Sequence, residues 1–136
     1  MPDSKIALVI IDDLQQWQKL NVAAFLASAV AIQFPETHGG SFTTASQSNY
    51  MPFLKQPVLI YQAGDPIQMQ RTLQRAKERE LHIGIYTRPL FATKNEAQNL
   101  LEISKYTDDA LDLVGIAIYG DGKKVDKALK DLKLHP

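Results

Sequence analysis

Ile6-Ala7-Leu8-Val9-Ile10-Ile11 is a continuous apolar, β-branched run, stopped by Asp12-Asp13. With no polar alternation it predicts a strand buried on both faces, which favours an α/β sandwich over a one-sided sheet. Residues 21–32 follow, alanine-rich and apolar nearly all round. They predict a deeply packed helix that begins between Gln15 and Asn21. The second half is more regular. Residues 57–61 read as a short buried strand, and Asp65-Pro66 as the N-cap and first position of a helix reaching about Glu80. Residues 83–87 make a third strand, and Thr93-Lys94-Asn95-Glu96 fits a capping box before Ala97, Leu100, Leu101 and Ser104. Residues 111–119 make a fourth strand, turned by Gly120-Asp121-Gly122, and a last helix points Val125, Leu129 and Leu132 inward. This order predicts a three-layer α/β/α sandwich around a mixed, mostly parallel four-stranded sheet, with residues 1–136 as one domain.

Composition narrows the chemistry. The 136 residues carry 15 Lys+Arg against 15 Asp+Glu and no cysteine. The balance argues against a strongly electropositive nucleic-acid surface, and the missing thiols exclude disulfides, thiolate metal sites and thiol nucleophiles. His38, His82 and His135 have no helical i, i+4 ligand spacing, so neither a metal nor a cofactor is expected. Met1-Pro2-Asp3-Ser4-Lys5 lacks the basic region and cleavage site of a signal peptide. Residues 22–32 are about half of the roughly 20 that a membrane span requires. A cytoplasmic protein without a membrane anchor is the expectation.

Two segments stand out as candidate functional regions. Residues 35–57 form a polar, turn-prone stretch with scattered aromatics at Phe42, Tyr50 and Phe53. It reads either as a lid over a site or as a surface excursion containing a short β-hairpin. Asp12-Asp13 ends the first strand, where open α/β sheets place their ligands, so one aspartate would cap the following turn and the other face a crevice beside Lys19 and Asn21. Familiar nucleotide and hydrolase signatures are missing: there is no phosphate-binding loop ending in Gly-Lys-Ser/Thr, no G-x-G-x-x-G and no G-x-S-x-G. Gly120-Asp121-Gly122-Lys123-Lys124 is too short to specify a phosphate site.

The apolar first strand ending in Asp-Leu, Val22-Ala23-Ala24, Leu113-Val114-Gly115-Ile116, and Val125-Asp126-Lys127 with Leu132-Lys133-Leu134 resemble the type 2 peptidyl-tRNA hydrolases. More closely, Trp17 through Leu26, Leu90-Phe91-Ala92-Thr93, and the ending from Val125 to Pro136 are similar to an uncharacterised bacterial family, the domain of unknown function numbered two thousand. The resemblance implies the hydrolase fold and a homodimer. It also brings out departures. Asn21 stands where the hydrolases carry their essential lysine, Phe25 replaces a glutamine, Ser28 replaces a histidine, and Thr87 replaces an aspartate. Thr93 stands as counterpart to the family's threonine. A Phe for a Gln deletes both a donor and an acceptor.

Two functions follow as expectations. In the first, the protein is a hydrolase of altered chemistry acting on a small-molecule or RNA-linked substrate. Asp13 is the general base and Lys19 the electrostatic stabiliser, while Asp12, Asn21, Thr87, Thr93 and Asn95 position the substrate. Nucleic acid is a doubtful partner, because the basic side chains are diluted by acidic neighbours. In the second, it is a non-enzymatic module that binds a small ligand or a protein. Trp17, Phe42, Tyr50 and Phe53 then line an apolar pocket, with core packing as the alternative role for Trp17.

Overall fold

The computed structural model describes residues 3–136. Met1 and Pro2, part of the N-terminal stretch read above, lie outside the described residues. The elements in chain order are β1 (Ser4–Ile11), α1 (Gln16–Gln33), β2 (Phe42–Thr43), β3 (Asn49–Tyr50), β4 (Val58–Ala63), α2 (Pro66–Glu78), β5 (His82–Thr87), α3 (Glu96–Ser104), β6 (Leu113–Asp121), α4 (Gly122–Ala128) and β7 (Lys133–Leu134).

β1 lies at the centre of a mixed sheet of order β5-β6-β1-β4-β7. It runs parallel to β4 and antiparallel to β6, while β5 and β7 run antiparallel to their neighbours β6 and β4. Three strands therefore share one direction, but three of the four pairings are antiparallel, so the sheet is mixed rather than mostly parallel as expected. All six residues from Ile6 to Ile11 are buried, because helices cover both sides of the strand. On β6, Gly115 faces Val22 and Leu26 of α1. The alternate residues Val114, Ile116 and Ile118 are equally buried on the opposite face, towards α2 and α4.

The sheet has five strands, not four. The extra one, β7, is two residues long and exposed, and it pairs Leu134 with Tyr61 where the sequence suggested the end of a helix. So short a strand carries no hydrophobic alternation to read. β6 also starts later and extends further than expected, through Gly120 to Asp121. Gly120 continues the strand at φ 158°, and Asp121 then caps α4 by accepting from Lys124 N.

α1 is not deeply packed all round. Only Val22, Leu26 and Val30 are fully buried along its 18 residues, and Trp17, Leu20, Phe25 and Ile32 remain largely exposed. Close approach to the sheet is made possible by glycine: a Cβ on Gly115 would lie 2.5 Å from Val22 Cγ1. α2 begins as expected, with Asp65 Oδ1 accepting from Gln68 N at 2.8 Å and Pro66 in the first turn. α3 is capped by Asn95 rather than Thr93, through a 2.9 Å bond from Gln98 N. Residues 35–57 do contain the short hairpin, β2 paired with β3, whose residues are all exposed. Among the described residues no helix is long and apolar enough to cross a membrane.

Candidate functional site

α1 crosses the sheet with a cleft on one flank, beside the carboxyl end of β5. The walls are α1, β5, the 3-10 turn Arg88–Ala92 and the start of α3, and they enclose about 660 Å³. Trp17, Asn21 and Phe25 are spaced four residues apart on α1, so they form a single stripe on this flank. Opposite them stand Tyr86 of β5 and Phe91 of the turn. The rings form a chain: Trp17 meets Phe91 edge-on at 6.0 Å between centroids, Phe91 lies 5.2 Å from Tyr86, and Tyr86 lies 5.9 Å from Phe25. Such tilted contacts match the preferred geometries of aromatic pairs.

Polar groups surround this aromatic wall. Trp17 Nε1 donates to Gln15 Oε1 at 2.8 Å, which fixes the indole plane at the start of the helix. The Thr93 hydroxyl donates to Leu90 O at 2.8 Å and touches the Asn99 amide. Lys94 and Glu96 place opposite charges at the mouth. Burial raises the Tyr86 phenol above its ordinary pKa, since a phenolate is poorly solvated against Phe25 and Phe91. Tyr86 therefore stays a neutral donor and acceptor well into the alkaline range.

The residues singled out from sequence divide into three groups. Asn21, Thr93 and Asn95 come together in this cleft. Asp13 lies at the same end of the sheet but outside it, with its oxygens 3.3 Å from Arg88 Nη2; the same guanidinium reaches Asp112 at 3.2 Å. Asp12 is exposed, and its backbone N–H donates to Ala63 O. Thr87 is buried at the end of β5 beneath the site. Lys19 points to the opposite flank of α1, beside Ile60 and His135. The reason is helical geometry: residues two apart project about 200° from one another, so Lys19 and Asn21 cannot share a cleft.

Phe42, Tyr50 and Phe53 do not join Trp17. They sit on or beside the exposed hairpin, where Phe42 and Phe53 pack on each other at 4.7 Å. Trp17 is 56% exposed on the cleft wall rather than in the core. Tyr86 and Phe91 carry no local signal for the site, whereas the i, i+4, i+8 spacing of Trp17, Asn21 and Phe25 marks one helical stripe.

A second cleft of similar volume lies at the other end of β1, among Ser4, Lys5, Glu36, Lys55, Gln56 and Tyr119. Its polar groups largely satisfy one another. Tyr119 Oη donates to Glu36 at 3.2 Å, Gln56 Nε2 donates to Ser4 O at 3.1 Å, and Lys5 pairs with Asp126 at 2.8 Å. The last bond raises the Lys5 pKa. Among the described residues no three His, Asp or Glu side chains gather closely enough to hold a metal ion.

Comparison with known proteins places the whole architecture. A solved structure of a protein of unknown function, Atu0240 from Agrobacterium tumefaciens strain C58, is similar at 37% identity and a TM-score of 0.95, with 100% of each chain covered. No curated protein matches the chain. The family model described as "Protein of unknown function (DUF2000)" matches residues 4–136, and with nearly the full length matched, the chain belongs to that family.

Proposed function

We propose that the protein is a binding module for a small, flat, largely uncharged ligand held in the aromatic cleft. The observation that carries this reading is the Trp17–Asn21–Phe25 stripe of α1 facing Tyr86 and Phe91 across about 660 Å³. That volume is within the range typical of small-molecule sites, which combine apolar walls with a few placed polar groups. The rings offer faces for stacking, Asn21 offers one donor and one acceptor edge, and the Tyr86 hydroxyl adds a neutral partner. Asn95 and Thr93 hold the rim through their backbone bonds, and Thr87 positions the end of β5. In the same reading residues 1–136 form one domain, a three-layer sandwich like that of the type 2 peptidyl-tRNA hydrolases, acting as a cytoplasmic homodimer. Helices on both faces of the sheet support the layered description.

Trp17 is the only tryptophan, so a ligand entering the cleft reports itself in the protein's own fluorescence. A panel of heterocyclic metabolites should contain compounds that both change Trp17 emission and raise Tm by mass action. Asn21→Ala should weaken those compounds about tenfold, or about 1.4 kcal/mol. Compounds that raise Tm with Trp17 emission unmoved would place the site elsewhere and refute the proposal.

A hydrolase of altered chemistry is the second reading. The observation favouring it is that Asn21 and Thr93, which stand at the hydrolase-site positions implied by the resemblance, share the cleft. Incubation with peptidyl-tRNA tests it: no release of free tRNA above a buffer control sinks this reading and leaves the first intact.

A further inference from the structure

α3 spans nine residues and buries none of them completely. A helix that short is not held by its own propensity in water and depends on packing an apolar face against something. Asn99, Glu102 and Ile103 form its half-buried side, with Asn99 touching the Thr93 hydroxyl in the aromatic cleft. The opposite side carries Ala97, Leu100, Leu101 and Ser104 at i, i+3, i+4 and i+7, the spacing of a single helical stripe, and all four are exposed. Leu100 is 66% and Leu101 63% exposed. The amphipathic pattern is complete, yet its apolar side packs on nothing within the chain.

That side is symmetric about its own midpoint. Outward from between Leu100 and Leu101 come small residues at equal distance, Ala97 and Ser104, and then opposite charges at equal distance, Glu96 and Lys105. We propose that α3 is the contact between two copies of this chain, packed antiparallel about a two-fold axis that passes between Leu100 and Leu101. In that register the four leucines cluster at the axis. Ala97 of each copy lies against Ser104 of the other, and these small side chains let the helices approach closely. The Ser104 hydroxyl already donates to Leu101 O at 2.6 Å, so it enters a dry contact with no unpaired hydrogen. The charges agree with the register. Each Glu96 stands level with the other copy's Lys105, while like charges lie about 14 Å apart along the axis at the rise of a helix. Glu96 makes no ion pair among the described residues, and Lys105, bonded to Glu102 at 2.9 Å, has ammonium hydrogens to spare. Parallel packing would instead set Glu96 against Glu96 and Lys105 against Lys105. This inference rests on the homodimer of the preceding reading and adds where its copies meet.

Sedimentation of the full chain from about 10 µM to 1 mM should show a monomer–dimer equilibrium, because one short helix per copy makes a small, transient interface. Leu101→Glu, at an exposed position, should weaken association at least about tenfold and leave the monomer's Tm unchanged. Glu96→Lys and Lys105→Glu should each weaken it about tenfold, and their equimolar mixture should recover the wild-type constant, since only the mixed pair sets opposite charges level at both ends. The chain has no cysteine, so Ala97→Cys mixed with Ser104→Cys gives a clean readout. Mild oxidation should cross-link that mixture at least about tenfold faster than either variant alone. A chain that stays monomeric at about 1 mM overturns this surface and the homodimer together. Association undiminished in Leu101→Glu, a charge mixture no stronger than its parents, or cross-linking no faster in the cysteine mixture overturns the surface and leaves the homodimer standing.

Discussion

Replacing Gly115 with alanine should unseat α1, and the size of the effect follows from two distances. The added methyl would stand 2.5 Å from Val22 Cγ1 and 2.8 Å from Leu26 Cδ1, where ordinary carbon–carbon contact begins near about 3.5 Å. The Leu26 methyl ends a flexible side chain and swings aside. Val22 is held to one χ1 rotamer in a helix and cannot, so it decides the outcome. Overpacking of this kind costs about 1–3 kcal/mol, offset in part by about 0.5–1 kcal/mol from replacing a strand glycine with alanine. A net loss of about 1–2 kcal/mol lowers Tm by about 3–10 °C in a chain of this length. Val22→Ala alone removes two buried methyls at a cost of about 1–3 kcal/mol. In the double variant the new methyl occupies part of the space that Val22 vacates. Denaturant titrations of all four proteins should therefore give a double variant about 1–2 kcal/mol more stable than the sum of the singles. Because Val22 seats the helix that carries Trp17 and Asn21, Gly115→Ala should also shift Trp17 emission, and the double variant should restore it. Additivity within about 0.5 kcal/mol would refute the claim that Val22 sets the seat of the helix.

Alkaline titration of the five tyrosines at 295 nm should show one phenol ionising above the others and missing in Tyr86→Phe. The sign for stability follows: burial raises the folded-state pKa of Tyr86, so its contribution is complete below pH about 10 and is lost as pH climbs through the raised value. Thermal melts from pH 9 to 12 check this, and Tyr86→Phe should flatten that part of the curve. Asp65→Ala removes the acceptor for Gln68 N and should cost about 1 kcal/mol by chemical denaturation, with Asp65→Asn retaining most of the cap. Arg88→Met breaks the half-exposed pairs with Asp13 and Asp112 and should cost less than about 1 kcal/mol, with the difference shrinking in high salt.

Much of this architecture is legible from local chemistry. Ile6–Ile11 announces a strand covered on both sides, and Asp65-Pro66 marks the start of α2, because each signal is complete within a few residues. Strand direction is different. A run buried on both faces looks the same whether its neighbour is parallel β4 or antiparallel β6, so nothing in Ile6–Ile11 encodes the mixed sheet. β7 was illegible for a related reason: Lys133 and Leu134 are recruited by the edge of β4, not by a pattern of their own. At the site, sequence proximity groups Lys19 with Asn21, Thr93 and Asn95, but Lys19 reaches the other flank of the helix. An apolar α1 also concealed its cleft-facing flank. Trp17 and Phe25 look like core residues, but they lie on the flank of α1 rather than on its Val22–Leu26–Val30 face.

The central position of β1 has a consequence for synthesis on the ribosome. The strand is made before both of its partners, which lie at Val58–Ala63 and Leu113–Asp121. At about 5–20 residues per second, completing β6 takes roughly 5–20 s after Ile11 has been added. β4 is complete about halfway through that interval, but until β6 is made the apolar segment lacks one of its two flanking strands, and it is rich in the β-branched residues that favour cross-chain pairing. The strand that organises the finished sheet is thus also the segment with the longest wait for its neighbours.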